Sequence, residues 1–158
     1  MGDVLSDFQQ WIDATPFQQV LGITAVSVDR KLAQTRMRLP YNAQFARRYA
    51  AHEFHGGVIA TLIDISGASA LFAARGYAGP TIDMRIDYLR LGSGEFLVAD
   101  AKLVKDGRSL ALADVTISDD SGRSVAVGRV ALSALKVHVA GESTLSTVGS
   151  EPAGSVCS

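Results

Sequence analysis

The 158-residue sequence predicts a single α+β domain, with one enclosed helix wrapped by about six mostly antiparallel strands. Three observations predict it. Residues 55–76, HGGVIATLIDISGASALFAARG, set apolar and small residues all round a helical wheel, the pattern of a helix enclosed by protein. Leu97, Ala99, Ala101 and Leu103 alternate with Val98, Asp100 and Lys102, and Ala111, Ala113, Val115 and Ile117 alternate with Leu112, Asp114 and Thr116. Asp106-Gly107 and Asp120-Ser121-Gly122 fall between these runs, where hairpin turns belong.

In chain order, residues 3–13 read as a short amphipathic helix, with Val4, Leu5, Phe8 and Ile12 near one face. Thr15-Pro16 punctuates it, and two strands are expected at about 20–28 and 31–39, joined by a tight turn at Asp29-Arg30. In the second, Leu32, Gln34, Arg36 and Arg38 alternate with Ala33, Thr35, Met37 and Leu39, as in a strand with one wet face. Residues 40–54 carry no period and read as an irregular or partly helical loop. Arg75 and Gly76 close the long helix. A strand meander follows, at roughly 81–90, 95–105, 108–118 and 123–136. The domain spans residues 1–139, and the Gly/Ser/Thr-rich segment 140–158 is expected to be disordered.

Composition excludes several functions. With 47% apolar and 20% charged residues and a net charge of -1, the chain has no overall basic field to draw it onto nucleic acid or anionic lipid. The single cysteine, Cys157, cannot form an internal disulfide, and its tail position argues against a catalytic thiol. No apolar run approaches the length of a membrane span, and the N-terminus lacks the basic start and apolar core of a secretory signal. A cytoplasmic protein without nucleic-acid or membrane partners is expected. His52, His55 and Asp64 are too sparse a donor set to predict a metal site.

Chemistry concentrates in the helix. Asp64 lies between Ile63 and Ile65, with Ala60, Thr61, Gly67 and Ala68 one turn away. A carboxylate is rarely enclosed unless something pairs with it, because removing its water costs several kcal/mol. Alone, it reads as a satisfied core or interface group. Together with His55-Gly56-Gly57 at the helix start, it reads as a reactive carboxylate. Glycines there let a substrate lie against the backbone, and the unpaired N–H groups and positive dipole end can hold a developing oxyanion. Asp64 is eight residues beyond Gly56, about 12 Å along a helix. That is too far for one chain to supply both groups to one carbonyl, so the catalytic reading carries a homodimer with it.

His55-Gly56-Gly57 followed by Asp64 resembles the hot-dog-fold acyl-CoA thioesterases of the PaaI type. Pro16-Phe17, Leu21-Gly22-Ile23, Thr81-Ile82-Asp83-Met84, Asp87-Tyr88-Leu89-Arg90, Gly107-Arg108 and Gly122 are similar to further segments of that family, so the resemblance covers about residues 15–136. It implies a long central helix wrapped by a curved antiparallel sheet of five to six strands, and dimers that often pair into tetramers. The implied reaction is hydrolysis of an acyl-coenzyme A to free acid and CoA, with CoA as part of the substrate and no separate cofactor. Carried over by position, Asp64 is nucleophile or general base, Gly56 gives the oxyanion N–H, Thr81 helps position water and His55 orients its neighbours. Gly57 lines the substrate site. Many relatives have Asn or Gln where this chain has Tyr49, and Asn42 or His52 could substitute. Arg90, Arg108 and Ser109 match positions expected near the CoA phosphates, with Arg47 and Arg48 a second possibility. Two other readings stay open: a non-catalytic acyl-CoA or lipid-binding protein, which the Tyr49 departure favours, and an acyl-CoA dehydratase using His55 and Asp64 as an acid–base pair.

Overall fold

The computed structural model describes residues 3–48 and 51–136. Tyr49, His138, Cys157 and the segment 140–158 lie outside them. Helix α1 spans Val4–Asp13 and starts where the Asp3 carboxylate accepts from the Leu5 amide at 3.2 Å. It buries Phe8 and Ile12 and leaves Val4 exposed. The expected strand from residue 20 is corrected at its start, because Pro16–Leu21 forms a second helix, α2. Proline sits at its first turn, where a missing N–H costs nothing, and Gly22 ends it in the left-handed region at φ 67. Strand β1 is therefore Thr24–Asp29.

Strand β2 (Gln34–Pro40) buries Thr35, Met37 and Leu39 and exposes Arg36 and Arg38, as the alternation predicts. The turn before it is longer than the expected Asp29-Arg30 pair. It runs through Ala33 at φ 51, with the Asp29 carboxylate accepting from the Lys31 and Leu32 amides at 2.9 Å. The segment 40–54 is irregular. It contains a 3-10 turn at Ala43–Phe45 and single bridges from Ala46 to Phe54 and from Glu53 to Ser93.

Helix α3, Gly56–Arg75, ends on Gly76 in the left-handed conformation. By length and composition alone it could cross a membrane, which corrects the expectation that no run approaches that length. Its glycines, alanines and serines extend the apolar stretch, and in this fold more than half of it is buried inside the protein as the core helix. The remaining strands are β3 (Thr81–Tyr88), β4 (Phe96–Asp106), β5 (Leu110–Asp119) and β6 (Ser124–Ser133). They join one antiparallel six-stranded sheet in the order β1-β2-β4-β5-β6-β3. The predicted meander is broken at its first step, since β3 pairs with β6 at the far edge rather than with β4.

The sheet wraps α3 closely. A Cβ on Gly67 would lie 2.6 Å from the Val130 Cβ, and one on Gly128 would lie 2.5 Å from the Ile63 Cγ2, so helix and strand touch at these glycines. The two sheet edges differ. At the β1 edge the Gln9 side chain of α1 offers both halves of an amide, accepting from the Ala25 N–H at 2.6 Å and donating to the Ile23 carbonyl at 3.3 Å. At the β3 edge nothing among the described residues covers the strand, and Ile82 and Tyr88 are 60% and 54% exposed.

Candidate active site

The first turn of α3 is heavily hydrogen-bonded. His55 is its N-cap, and its Nδ1 accepts from the Gly57 amide at 2.9 Å. The His55 carbonyl accepts from the Val58 and Ile59 amides at 3.0 and 3.2 Å, and the His55 amide donates to the Phe45 carbonyl at 2.8 Å. Among the described residues, no group accepts from the Gly56 N–H. The Gly56 carbonyl accepts a hydrogen bond from the Tyr88 hydroxyl at 2.9 Å.

Two turns further along, Asp64 is half-buried between the buried Ile63 and Ile65. The Thr81 hydroxyl donates to its Oδ1 at 2.6 Å. No partner for Oδ2 occurs among the described residues, so one carboxylate oxygen remains open. Thr81 is brought there by register. It pairs with the buried Leu132 and so stands on the helix-facing side of β3. Its neighbours one turn away, Ala60, Thr61 and Ala68, are small, and the Thr61 hydroxyl donates to the Gly57 carbonyl at 2.9 Å.

Strand β3 thus touches both candidate points of α3, with Thr81 on Asp64 at one end and Tyr88 on Gly56 at the other. The two points are in one helix, eight residues apart, which is about 12 Å at the helical rise. Within one copy they do not meet.

Other expected site residues are spread out. The Gly57 N–H is taken by His55, and a Cβ at Gly57 would lie 3.0 Å from that nitrogen. The Asn42 side chain caps its own 3-10 turn by accepting from Gln44 at 2.9 Å. His52 stacks on Tyr41, with ring centroids 4.4 Å apart, and its Nδ1 is 3.0 Å from Glu95. Arg47 and Arg48 pair with Glu53. Arg90 follows the end of β3, its amide bonded to the Val125 carbonyl at 3.1 Å. Arg108 and Ser109 form the β4–β5 turn, where the Ser109 carbonyl accepts from Ala134 at 3.0 Å. In one copy, Arg90 and Arg108 therefore lie beside opposite ends of β6. Among the described residues no group of three His, Cys, Asp or Glu side chains could hold a metal ion.

The shifted carboxylates are structural. At Asp119, burial pushes the carboxyl up, but hydrogen bonds from Ser121 and from the Arg123 backbone and guanidinium outweigh it and hold the group at about 2. At Asp114, the Arg129 guanidinium holds the carboxyl below its ordinary value. A contact at the candidate site that the sequence did not suggest is the Tyr88 hydroxyl on the Gly56 carbonyl. These residues are 32 positions apart, and no local pattern links a strand-end tyrosine to a helix start.

Comparison with known proteins adds to this geometry. The model of the family described as Thioesterase superfamily matches residues 54–126, from the loop before α3 into β6. A relative from Halobacterium salinarum, provisionally named an esterase, is 30% identical over 138 residues, covering 80% of this chain and 89% of its own length. The medium/long-chain acyl-CoA thioesterase YigI of Escherichia coli is 27% identical over 120 residues, covering 66% of this chain and 76% of its own. The structure of the E. coli PaaI protein from the phenylacetic acid degradation operon superposes with a TM-score of 0.67 at 25% identity, covering 82% of this chain and 94% of that one.

Proposed function

We propose that this chain, which belongs to the thioesterase superfamily, hydrolyses an acyl-coenzyme A thioester to free acid and CoA at a site shared by two copies. The observation that carries the reading is the double attachment of β3, to Asp64 through Thr81 and to Gly56 through Tyr88. An uncovered antiparallel edge can pair with a second copy of itself about a twofold axis. Self-pairing of β3 about its midpoint sets the Tyr88–Gly56 end of one copy beside the Thr81–Asp64 end of the other. The separation that keeps the two groups apart in one helix is thereby closed between two helices. The same pairing carries Arg90 of one copy toward Arg108 and Ser109 of its partner, which supports a shared phosphate-binding mouth.

In this site the thioester carbonyl oxygen accepts from the Gly56 N–H of one subunit, and Asp64 of the other faces the carbonyl carbon. As general base, Asp64 takes a proton from water while the water oxygen bonds to that carbon and negative charge gathers on the carbonyl oxygen. Collapse breaks the C–S bond, and the departing thiolate takes the proton from Asp64. As nucleophile, the open carboxylate oxygen bonds to the carbon, expels the thiolate and leaves an anhydride for water to cleave. In both versions the Thr81 hydroxyl donates to the other carboxylate oxygen and fixes its direction. The acyl group comes from the range that includes phenylacetyl and medium-chain fatty acyl, consistent with the names of the relatives.

The test is thiol release from a panel of acyl-CoAs, phenylacetyl-CoA and decanoyl-CoA included, by wild type and Asp64→Asn. Asp64→Asn is expected to lower kcat by about 10²-fold or more, with the fold and oligomer intact. Equal rates would show that Asp64 is not the reactive group. A wild type that binds acyl-CoA but releases no thiol would favour the non-catalytic reading instead.

A further inference from the structure

We propose that Tyr88 is a positioning residue for the Gly56 amide, an inference that rests on the reading of Gly56 as the oxyanion donor. Of the first four N–H groups of α3, three are engaged: Gly57 by the His55 ring, and Val58 and Ile59 by the His55 carbonyl. The Gly56 N–H is left over. Its own peptide plane is held from the other end, because the carbonyl of that plane is the His55 oxygen carrying two helix amides. The next plane, from Gly56 to Gly57, is held at its N–H by the His55 Nδ1 and at its carbonyl by the Tyr88 hydroxyl at 2.9 Å.

A glycine between two such planes would otherwise be the most mobile residue of the turn. Tyr88 also supplies bulk where Gly56 has none, since its ring lies 3.6 Å from the position a Cβ would take. The Gly56 carbonyl, as a first-turn carbonyl, already has a helical amide four residues on to satisfy it. The extra hydroxyl is therefore not needed for hydrogen-bond satisfaction, and such a neutral bond at an exposed site adds little stability. What it does is stop Gly56 from turning. A donor fixed before charge develops costs no reorganisation when the oxyanion forms. One strand thus sets the direction of both reacting partners, the carboxylate through Thr81 and the amide through Tyr88.

The test pairs kinetics with a spectroscopic reading of the bound carbonyl. Tyr88→Phe, which keeps the ring and deletes the donor, is expected to lower kcat about tenfold while KM stays within about twofold. In an Asp64→Asn background, decanoyl-CoA carrying ¹³C at its carbonyl is expected to show a lowered carbonyl stretching frequency when bound. Adding Tyr88→Phe should return that frequency toward the value in solution. A merely structural role for Tyr88 would reduce the amount of active protein without moving the frequency of the bound fraction. Tyr88→Gln, which keeps a donor on a shorter side chain, is expected to recover part of both effects, and it serves as the readable variant should Tyr88→Phe fold poorly. Wild-type kcat and an unmoved frequency in these variants would overturn the role of Tyr88 and leave Gly56 as donor. No lowering of the frequency even with Tyr88 present would instead count against Gly56 itself.

Discussion

Changing three glycines to alanine, one at a time, separates space occupied by the fold from space open to a substrate. A methyl at Gly67 would lie 2.6 Å from the Val130 Cβ, and one at Gly128 would lie 2.5 Å from the Ile63 Cγ2 and 3.2 Å from the Arg85 carbonyl oxygen. Both approaches are far inside contact distance, and neither neighbour is the free end of a flexible chain. Overpacking of this kind costs about 1–3 kcal/mol, which for a domain of this size lowers Tm by roughly 3–10 °C. A methyl at Gly56 behaves differently. Its nearest neighbour is the Tyr88 ring at 3.6 Å, an ordinary van der Waals contact, and Gly56 has no positive φ. Alanine is a better helix former than glycine by up to about 1 kcal/mol in a helix interior and by less at the first position. Gly56→Ala should therefore unfold within about 3 °C of wild type or slightly above it. Its methyl stands beside the free amide, however, and crowds any carbonyl that binds there. The expected loss in kcat/KM is about tenfold or more. Thermal unfolding by circular dichroism and thiol release on the same preparations give both numbers. Full activity in Gly56→Ala, or a Tm loss matching that of Gly67→Ala, would refute the reasoning.

Two further predictions concern stability. A carboxyl held at about 2 instead of 3.8, as at the fully enclosed Asp119, favours the folded state by about 2 kcal/mol once both states are ionised. Because the folded value is the lower one, this contribution is complete above about pH 4 and is lost as pH falls toward 2. Urea unfolding between those limits should show a shallower decline for Asp119→Asn than for wild type, and equal slopes would contradict the assignment. At the other sheet edge, Gln9→Leu removes two hydrogen bonds that occupy the Ala25 amide of β1 and the carbonyl of Ile23 just before it. A loss of about 1–2 kcal/mol in urea unfolding is expected, and no loss would mean that water replaces the glutamine without cost.

Much of the fold could be read from pattern because its cause is local. The enclosed helix showed itself by apolar residues on every side, β2 and β5 by strict alternation, and the helix ends by His55 and Gly76. The six-stranded hot-dog arrangement and the resemblance to PaaI-type proteins are borne out. Helix α2 was missed although Pro16 and Gly22 bracket it, because six residues are too few to display a helical period. The place of β3 was unreadable for another reason. Alternation says that a strand has two faces, but says nothing about which strand it joins, and the connection through Gly92 and Gly94 leads β4 away from β3 rather than back along it. At the site, Asp64 stood out because a charge in an apolar helix needs a partner. Only the family resemblance singles out Thr81, and its hydrogen bond to Asp64 depends on a register that no short motif encodes. The role of Tyr88 lay hidden for the same reason.

The shared site is tested most directly by complementation between two inactive variants. Proline at Gly56 deletes the amide hydrogen at a first-turn position where helices accept proline, and the preceding His55 already has the extended ψ of 139 that proline requires. Gly56→Pro subunits keep Asp64, and Asp64→Asn subunits keep the Gly56 amide. After unfolding and joint refolding in equal amounts, half of the dimers are hybrids and each holds one intact site out of two, so about one quarter of wild-type thiol release should return. Hybrids confirmed by mass and correctly folded, yet as inactive as either parent, would mean that Gly56 and Asp64 do not serve one thioester across the β3 edge.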